Sequence, residues 1–165
     1  WFEGKLMLPV YTPRGEIMGF DARSVERKDP LRWVLESAGW VPAWIGMPLA
    51  MEKIWGGQPV WIVEGYFDYF ALEHVVGDKA ILGTGPARLT YKHVEFLRRW
   101  KPPMVNLCFD QDEAGYKGRD KAVEDLTRIR VACRSIPYGH SGDDPGLIWT
   151  RGGAEGMQKA FSLFT

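Results

Sequence analysis

The chain has 165 residues, 45% of them apolar and 25% charged, with 21 basic and 21 acidic side chains that cancel to a formal net charge of zero. That length is about one domain with a core that needs no staples, and the balanced charge excludes a uniformly basic surface, so any nucleic-acid partner must be held by a local patch. No apolar run reaches the roughly 18 residues of a membrane span, and Cys108 and Cys133 lie too far apart for a CxxC or Cys/His set, which excludes a disulfide framework and a zinc ribbon.

The expectation is therefore a soluble protein, with no membrane partner, in a reducing cytoplasm. The start at Trp1, without an initiator Met, predicts a fragment of a longer protein. The first elements are "KLMLPVY" and "EIMGFDAR", separated by "TPRG", whose Pro and Gly suit a tight antiparallel connection. Ser24 to Gly57 is irregular and rich in Trp and Pro, with a short helix at "PLAMEKIW".

From Pro59 onward the pattern becomes rhythmic. "PVWIVE" reads as a buried strand, and in "YFDYFALEHV" the residues Phe67, Phe70, Ala71 and Val75 recur at helical spacing. The alternation repeats as "KAILGTG" with "TYKHVEFLRRW", then "PMVNLCFD" with "EAGYKGRDKAVEDLTRI", then "RVACRSIPY" with a last helix near "AEGMQKAFSLF". Such β/α alternation predicts an α/β fold, a mostly parallel sheet flanked by helices and preceded by a small antiparallel β segment. The composition shift places a boundary between residues 1–57 and 58–165.

In an open parallel sheet, ligands bind beyond the carboxyl ends of the strands. Glu64 closes the first apolar run of that sheet, with Gly65 permitting a sharp turn, and Asp110 and Asp112 in "FDQDEAG" close the third. Two readings compete here, a polar turn and a cation site. If those strands are neighbours, three carboxylates reach one edge and repel each other unless a cation offsets them. Hard oxygen ligands favour Mg²⁺ or Mn²⁺, and magnesium commonly completes its shell with phosphate oxygens, which implies a phosphate-bearing substrate. Asp143 and Asp144 precede Pro145 in "SGDDPGL", where "DDPG" taken alone is a turn signal.

"VEGYFDYFAL", "GTGPARLT", "FDQDEAGYKGRDKA" and "DDPGLIWTRGGAEGMQKAF", in this order and spacing, resemble the TOPRIM domain of bacterial-type (DnaG-type) DNA primases. The hairpin "LMLPVYTPRGEIMGFDAR" is similar to the segment that precedes TOPRIM in those enzymes. The resemblance implies a Rossmann-like TOPRIM sheet in which Glu64 is the strand-end glutamate, Asp110 and Asp112 the DxD pair, and Asp144 the first acid of an Asp-Pro-Asp motif. Gly146 stands at the second acid of that motif, so Asp143 is a candidate to compensate.

The implied function is divalent-metal-dependent nucleotidyl transfer: synthesis of RNA primers from nucleoside triphosphates on a single-stranded DNA template. Glu64, Asp110 and Asp112 would be catalytic, and the same three with Asp144 would hold the metal; Glu64 acting as a general base is the alternative. A replicative helicase is a further candidate partner, in a bacterial or phage-infected cell. A TOPRIM nuclease, a topoisomerase fragment and a non-catalytic TOPRIM assembly module are the rival readings.

Among supporting residues, Arg23 falls where the resembling primases carry the arginine of Gly-Phe-Gly-Gly-Arg, with Asp21 and Ala22 at two of its glycines. Arg32 and Lys117 are candidate nucleotide or nucleic-acid contacts, although Lys117, Arg119 and Lys121 fit a solvated helix face equally well. Asp68 is a candidate to support the metal ligands, and an acid in a first helical turn is also stabilising without any ligand. "RRWK" at Arg98 to Lys101 fits either a polyanion contact or a helix C-terminus.

Overall fold

The computed structural model describes residues 3–24 and 44–165, together with the backbone of residues 33–35. The hairpin forms as expected: β1 (Lys5–Tyr11) pairs antiparallel with β2 (Ile17–Ser24) across the Thr12–Glu16 turn. The irregular reading of the next segment needs one correction, because β3 (Trp33–Leu35) adds a third strand on β2. Three residues carry too little alternation to be seen as a strand; pairing with an already formed neighbour supplies the backbone bonds that the side-chain pattern does not advertise. Arg32 lies outside the described residues, as does much of the Trp-rich segment.

After α1 (Met47–Trp55) the chain alternates as its pattern predicts: β4 (Val60–Val63), α2 (Tyr66–Val76), β5 (Ala80–Gly83), α3 (Tyr91–Trp100), β6 (Val105–Leu107), α4 (Glu113–Arg128), β7 (Cys133–Ser135) and α5 (Pro145–Phe161). The four strands form a parallel sheet in the order β5-β4-β6-β7. Each strand is short, and the central ones are buried on both faces, so their two residue sets feed two cores. Val60, Ile62, Ala80, Leu82, Val105 and Leu107 pack with α1, α3 and α4. Trp61, Val63, Ile81 and Cys108 pack on the other side with α2 and α5.

The hairpin joins the second core through Leu8, and the buried Tyr66 hydroxyl donates to Asp21 Oδ2 at 2.9 Å. The sheet is thus tied to the antiparallel layer beside the first turn of α2. Cys108 is fully buried as expected, whereas Cys133 is only partly covered. Among the described residues no helix is long and apolar enough to cross a membrane.

The last helix departs from its predicted bounds. It begins at Pro145, not near Ala154, because Asp144 caps it and Pro145 starts its first turn. Gly153 adopts φ 54 and interrupts it, so the stretch recognised from sequence is the second of two helical pieces. "DDPG" is a helix start in this chain, which moves Asp144 from a surface turn to the edge of the sheet.

Candidate metal and nucleotide site at the carboxyl edge

β4 and β6 are hydrogen-bonded neighbours, so the residues that follow them meet. Glu64 Oε1 accepts the Asp110 backbone N–H at 3.0 Å, a direct contact between groups 46 residues apart in the chain. Asp112 Oδ1 accepts from Gly115 N–H at 2.8 Å and caps α4; Asp144 Oδ1 accepts from Leu147 N–H at 2.5 Å and caps α5. These two acids thereby arrive on helix N-termini, whose positive ends offset part of the mutual repulsion.

Asp68 does more than start a helix. Its Oδ2 accepts from Gly65 N–H at 2.9 Å and its Oδ1 from Gly146 N–H at 3.1 Å, which clamps the loop after β4 to the first turn of α5. Gly146, at the expected second acid of the Asp-Pro-Asp motif, therefore donates its backbone to the site in place of a side chain. A Cβ there would meet Asp144 Oδ1 and the Phe67 Cβ at 3.3 Å and Asp68 Oδ1 at 3.4 Å, so the position is close-packed. Asp143 turns elsewhere: its Oδ2 accepts from His140 N–H at 2.7 Å and its Oδ1 from Arg151 at 2.6 Å. These partners hold its carboxyl below the usual range.

Electrostatics separates these acids from ordinary surface carboxylates. Glu64 is pushed up to about 7, first by burial, with the Asp110 N–H opposing and the charges of Asp68, Asp112 and Asp144 adding. Asp110 is pushed up to about 8 by burial and by Glu64, Asp68, Asp144 and Asp112 in that order. Asp68 is raised by burial despite its two backbone donors. Asp110 Oδ1 is buried and accepts no hydrogen bond from the described residues.

Among the described residues no three His, Cys, Asp or Glu side chains already stand in the close arrangement of a loaded metal centre. Two of the four predicted ligands, Asp112 and Asp144, spend an oxygen on a helix cap, and Glu64 spends one on a backbone N–H. The donor set nevertheless fits a hard divalent cation: all oxygen, mutually repelling, with one buried carboxylate oxygen that accepts no hydrogen bond from the described residues.

A groove of about 540 Å³ opens beside these acids between α2 and α5, lined by Arg23, Phe67, Asp68, His74, Asp144 and Trp149 among others. The Arg23 guanidinium lies 4.3 Å from the Phe67 ring centroid, on the groove wall. Lys117 is placed differently, on the exposed face of α4 in an ion pair with Glu113 at 2.5 Å. Arg119 and Lys121 likewise pair with acids of their own helix.

Three supports were invisible in the sequence. Tyr138 donates to the Phe109 carbonyl at 2.9 Å beneath the DxD loop. Gln111 N–H donates to the Asp143 carbonyl at 2.8 Å, and Gly142 N–H donates to the Gln111 carbonyl at 2.6 Å, joining the two acidic loops. Arg151 holds Asp143 from the second turn of α5. Each pairs a common residue type with a backbone or side chain brought near only by folding, so no spacing announced it.

The chain is similar to known proteins. A DNA primase of Deinococcus radiodurans is 29% identical over 168 residues, covering 98% of this chain and 28% of that protein. The chain thus spans less than a third of the relative it matches. The zinc-binding and RNA polymerase domains of Aquifex aeolicus primase superpose with a TM-score of 0.77 at 23% identity, over 98% of this chain and 40% of that one. A DnaG primase catalytic domain solved bound to ssDNA superposes at 0.76 with 22% identity, over 98% of this chain and 52% of that one. The family profile described as Toprim-like matches residues 61–146, more than half of the chain and the span from β4 through both acidic loops to Gly146, so the chain belongs to the Toprim-like family.

Proposed function

We propose that this chain is the TOPRIM part of a DNA primase, with Glu64, Asp110, Asp112 and Asp144 holding Mg²⁺ or Mn²⁺ for nucleotidyl transfer in RNA primer synthesis on single-stranded DNA. The observation that carries the reading is the buried Asp110 Oδ1, unpartnered among the described residues and set among carboxylates whose mutual repulsion the helix N-termini offset only in part. The similarity to primases along 98% of the chain supports the substrate class.

The bound cation would supply charge neutralisation for a nucleoside triphosphate and for the leaving pyrophosphate. The chain's own residues do the positioning. Glu64 and Asp110 are braced against each other through the Asp110 N–H. Asp68 orients the Gly65 turn and the Gly146 backbone. Arg23, on the groove wall, would meet a nucleotide phosphate. Asp143 acts as a strut through Arg151 and does not replace the missing acid at Gly146.

Calorimetric titration with Mn²⁺ tests the site, and primer synthesis from labelled triphosphates by the parent protein tests the reaction. Asp110→Asn is expected to remove the heat of binding and to lower synthesis by about 100-fold or more, the scale of removing a preorganised electrostatic group. Unchanged Mn²⁺ binding in Asp110→Asn would overturn the metal assignment. Template cleavage without primer would replace the primase reading with a nuclease.

A further inference from the structure

The basic and aromatic residues of α3, "YKHVEFLRRW", take no part in the chemistry above. They border a second groove, of about 800 Å³, whose other walls are Trp55 at the end of α1 and Pro13 and Arg14 in the β1–β2 turn. The helices α1 and α3 lead into β4 and β6, so Trp55 and Trp100 sit at the amino edge of the sheet, opposite the carboxylates. Tyr91 begins α3 at the other end, about 15 Å away along the helix.

Two independent features of this groove agree. Its rings are presented to solvent: Trp55 is 62% exposed and Tyr91 78%, while Trp55 leans on Trp100 with centroids 6.0 Å apart. Among the described residues its charge is one-sided: Arg14, Arg98 and Arg99 line it with a single carboxylate, Glu95, which Arg98 already engages through two bonds of 3.0 and 2.7 Å. The Arg99 guanidinium lies 5.6 Å from the Trp100 ring centroid, extending the cationic stripe along the aromatic one. A helix C-terminus accounts for Arg98 and Arg99. It does not account for Arg14 on another element, nor for two large rings left in water.

We propose that this groove is a second binding surface, for single-stranded DNA, lined by none of the carboxylates of the metal site. Cations tracking phosphates beside rings on which bases stack is the chemistry of sequence-tolerant strand binding. Charge complementarity selects a polyanion, and the rings select one whose bases are unpaired. The choice of DNA over RNA rests on the proposed function.

The test is fluorescence anisotropy of labelled oligo(dT) with the chain at low and raised salt. Trp55→Ala is expected to weaken binding about tenfold, within the range for removing one stacked base, and Trp55→Phe to retain most of it. Arg14→Glu with Arg99→Glu should weaken binding further and reduce its salt slope by about 0.7 for each phosphate left without its cation. Thermal melts of the same variants separate a binding defect from a folding defect; Arg14 and Arg99 are surface changes that leave the core intact.

No binding by the wild-type chain overturns the proposal, as does binding that survives both groove variants. A preference for oligo(U) would overturn the choice of DNA, and a dimer dissolved by Trp55→Ala would overturn it in favour of a second copy of the chain. Mn²⁺ calorimetry reads the metal site and oligo(dT) anisotropy in chelator reads the groove, so failure of the metal site and failure of this groove give different results.

Discussion

On the outer face of α4, Glu113 meets Lys117 at 2.5 Å, Glu124 meets Lys121 and Arg128 at 2.9 and 2.7 Å, and Asp125 meets the same two cations at 3.2 and 3.1 Å. One turn before that helix, Glu64, Asp110 and Asp112 meet chiefly each other and backbone N–H groups. The same side-chain chemistry is therefore in opposite states. Glu124 is held below the usual carboxylate range by Lys121, whereas Asp110 is pushed up to about 8. The outer acids keep a solvated helix soluble and would be replaceable. The edge acids are retained against an electrostatic cost, which a bound cation would remove.

Gly115, in the first turn of α4, is where that helix meets the acidic edge. A Cβ there would lie 2.1 Å from the Asp110 carbonyl oxygen, backbone that cannot move without displacing the DxD loop. Gly115→Ala is expected to cost about 3 kcal/mol in urea unfolding and to abolish divalent-ion binding. A stability equal to wild type would mean that the loop does not need this close approach.

A smaller loss is expected at Asp68. Asp68→Ala strands the Gly65 and Gly146 N–H groups, at a cost of about 1–3 kcal/mol, partly offset by removal of a buried charge. Asp68→Asn keeps one acceptor and should fall between Asp68→Ala and wild type. If both variants melt together above wild type, charge relief outweighs the clamp.

The pH dependence has a defined sign. Glu64 and Asp110 carry folded-state values of about 7 and about 8 against ordinary values of 4.5 and 3.8. The native state therefore holds protons that the unfolded chain has released, and stability falls as pH rises from near those ordinary values through about 8. In chelator, the melting midpoint should be higher near the acid end of that window, and Mn²⁺ should recover most of the loss at the alkaline end. A flat profile would show that these acids are solvated like those on α4.

The smallest effect belongs to the outer face. Lys117→Ala removes an exposed i,i+4 pair and should leave the urea midpoint within error of wild type. It should also leave Mn²⁺ binding unchanged; a large loss of binding would move Lys117 from the solvated face to the site.

Most of the sheet was legible because its strands are short apolar runs alternating with helix-period segments, and burial on both faces leaves no other arrangement for "VWIV" or "AILG". Glu64, Asp110 and Asp112 were legible for a related reason: an acid directly after a buried strand has no packing role, so its presence raises the question of a ligand. β3 and the first half of α5 were not, since three paired residues show no periodicity and "DDPG" starts turns as well as helices.

From β4 onward the order of the elements, and the type of acid at each strand end, follow from local pattern alone. Folding brings the acids to one edge, makes Gly146 a backbone donor and pairs Asp143 with Arg151. It also raises the carboxyls of Glu64 and Asp110, since burial and neighbouring charge depend on segments 46 residues apart meeting across two adjacent strands. The α3 groove lies between these cases: its residues are plain in "YKHVEFLRRW", but Trp55 and Arg14 join them only where α1 and the hairpin turn come alongside.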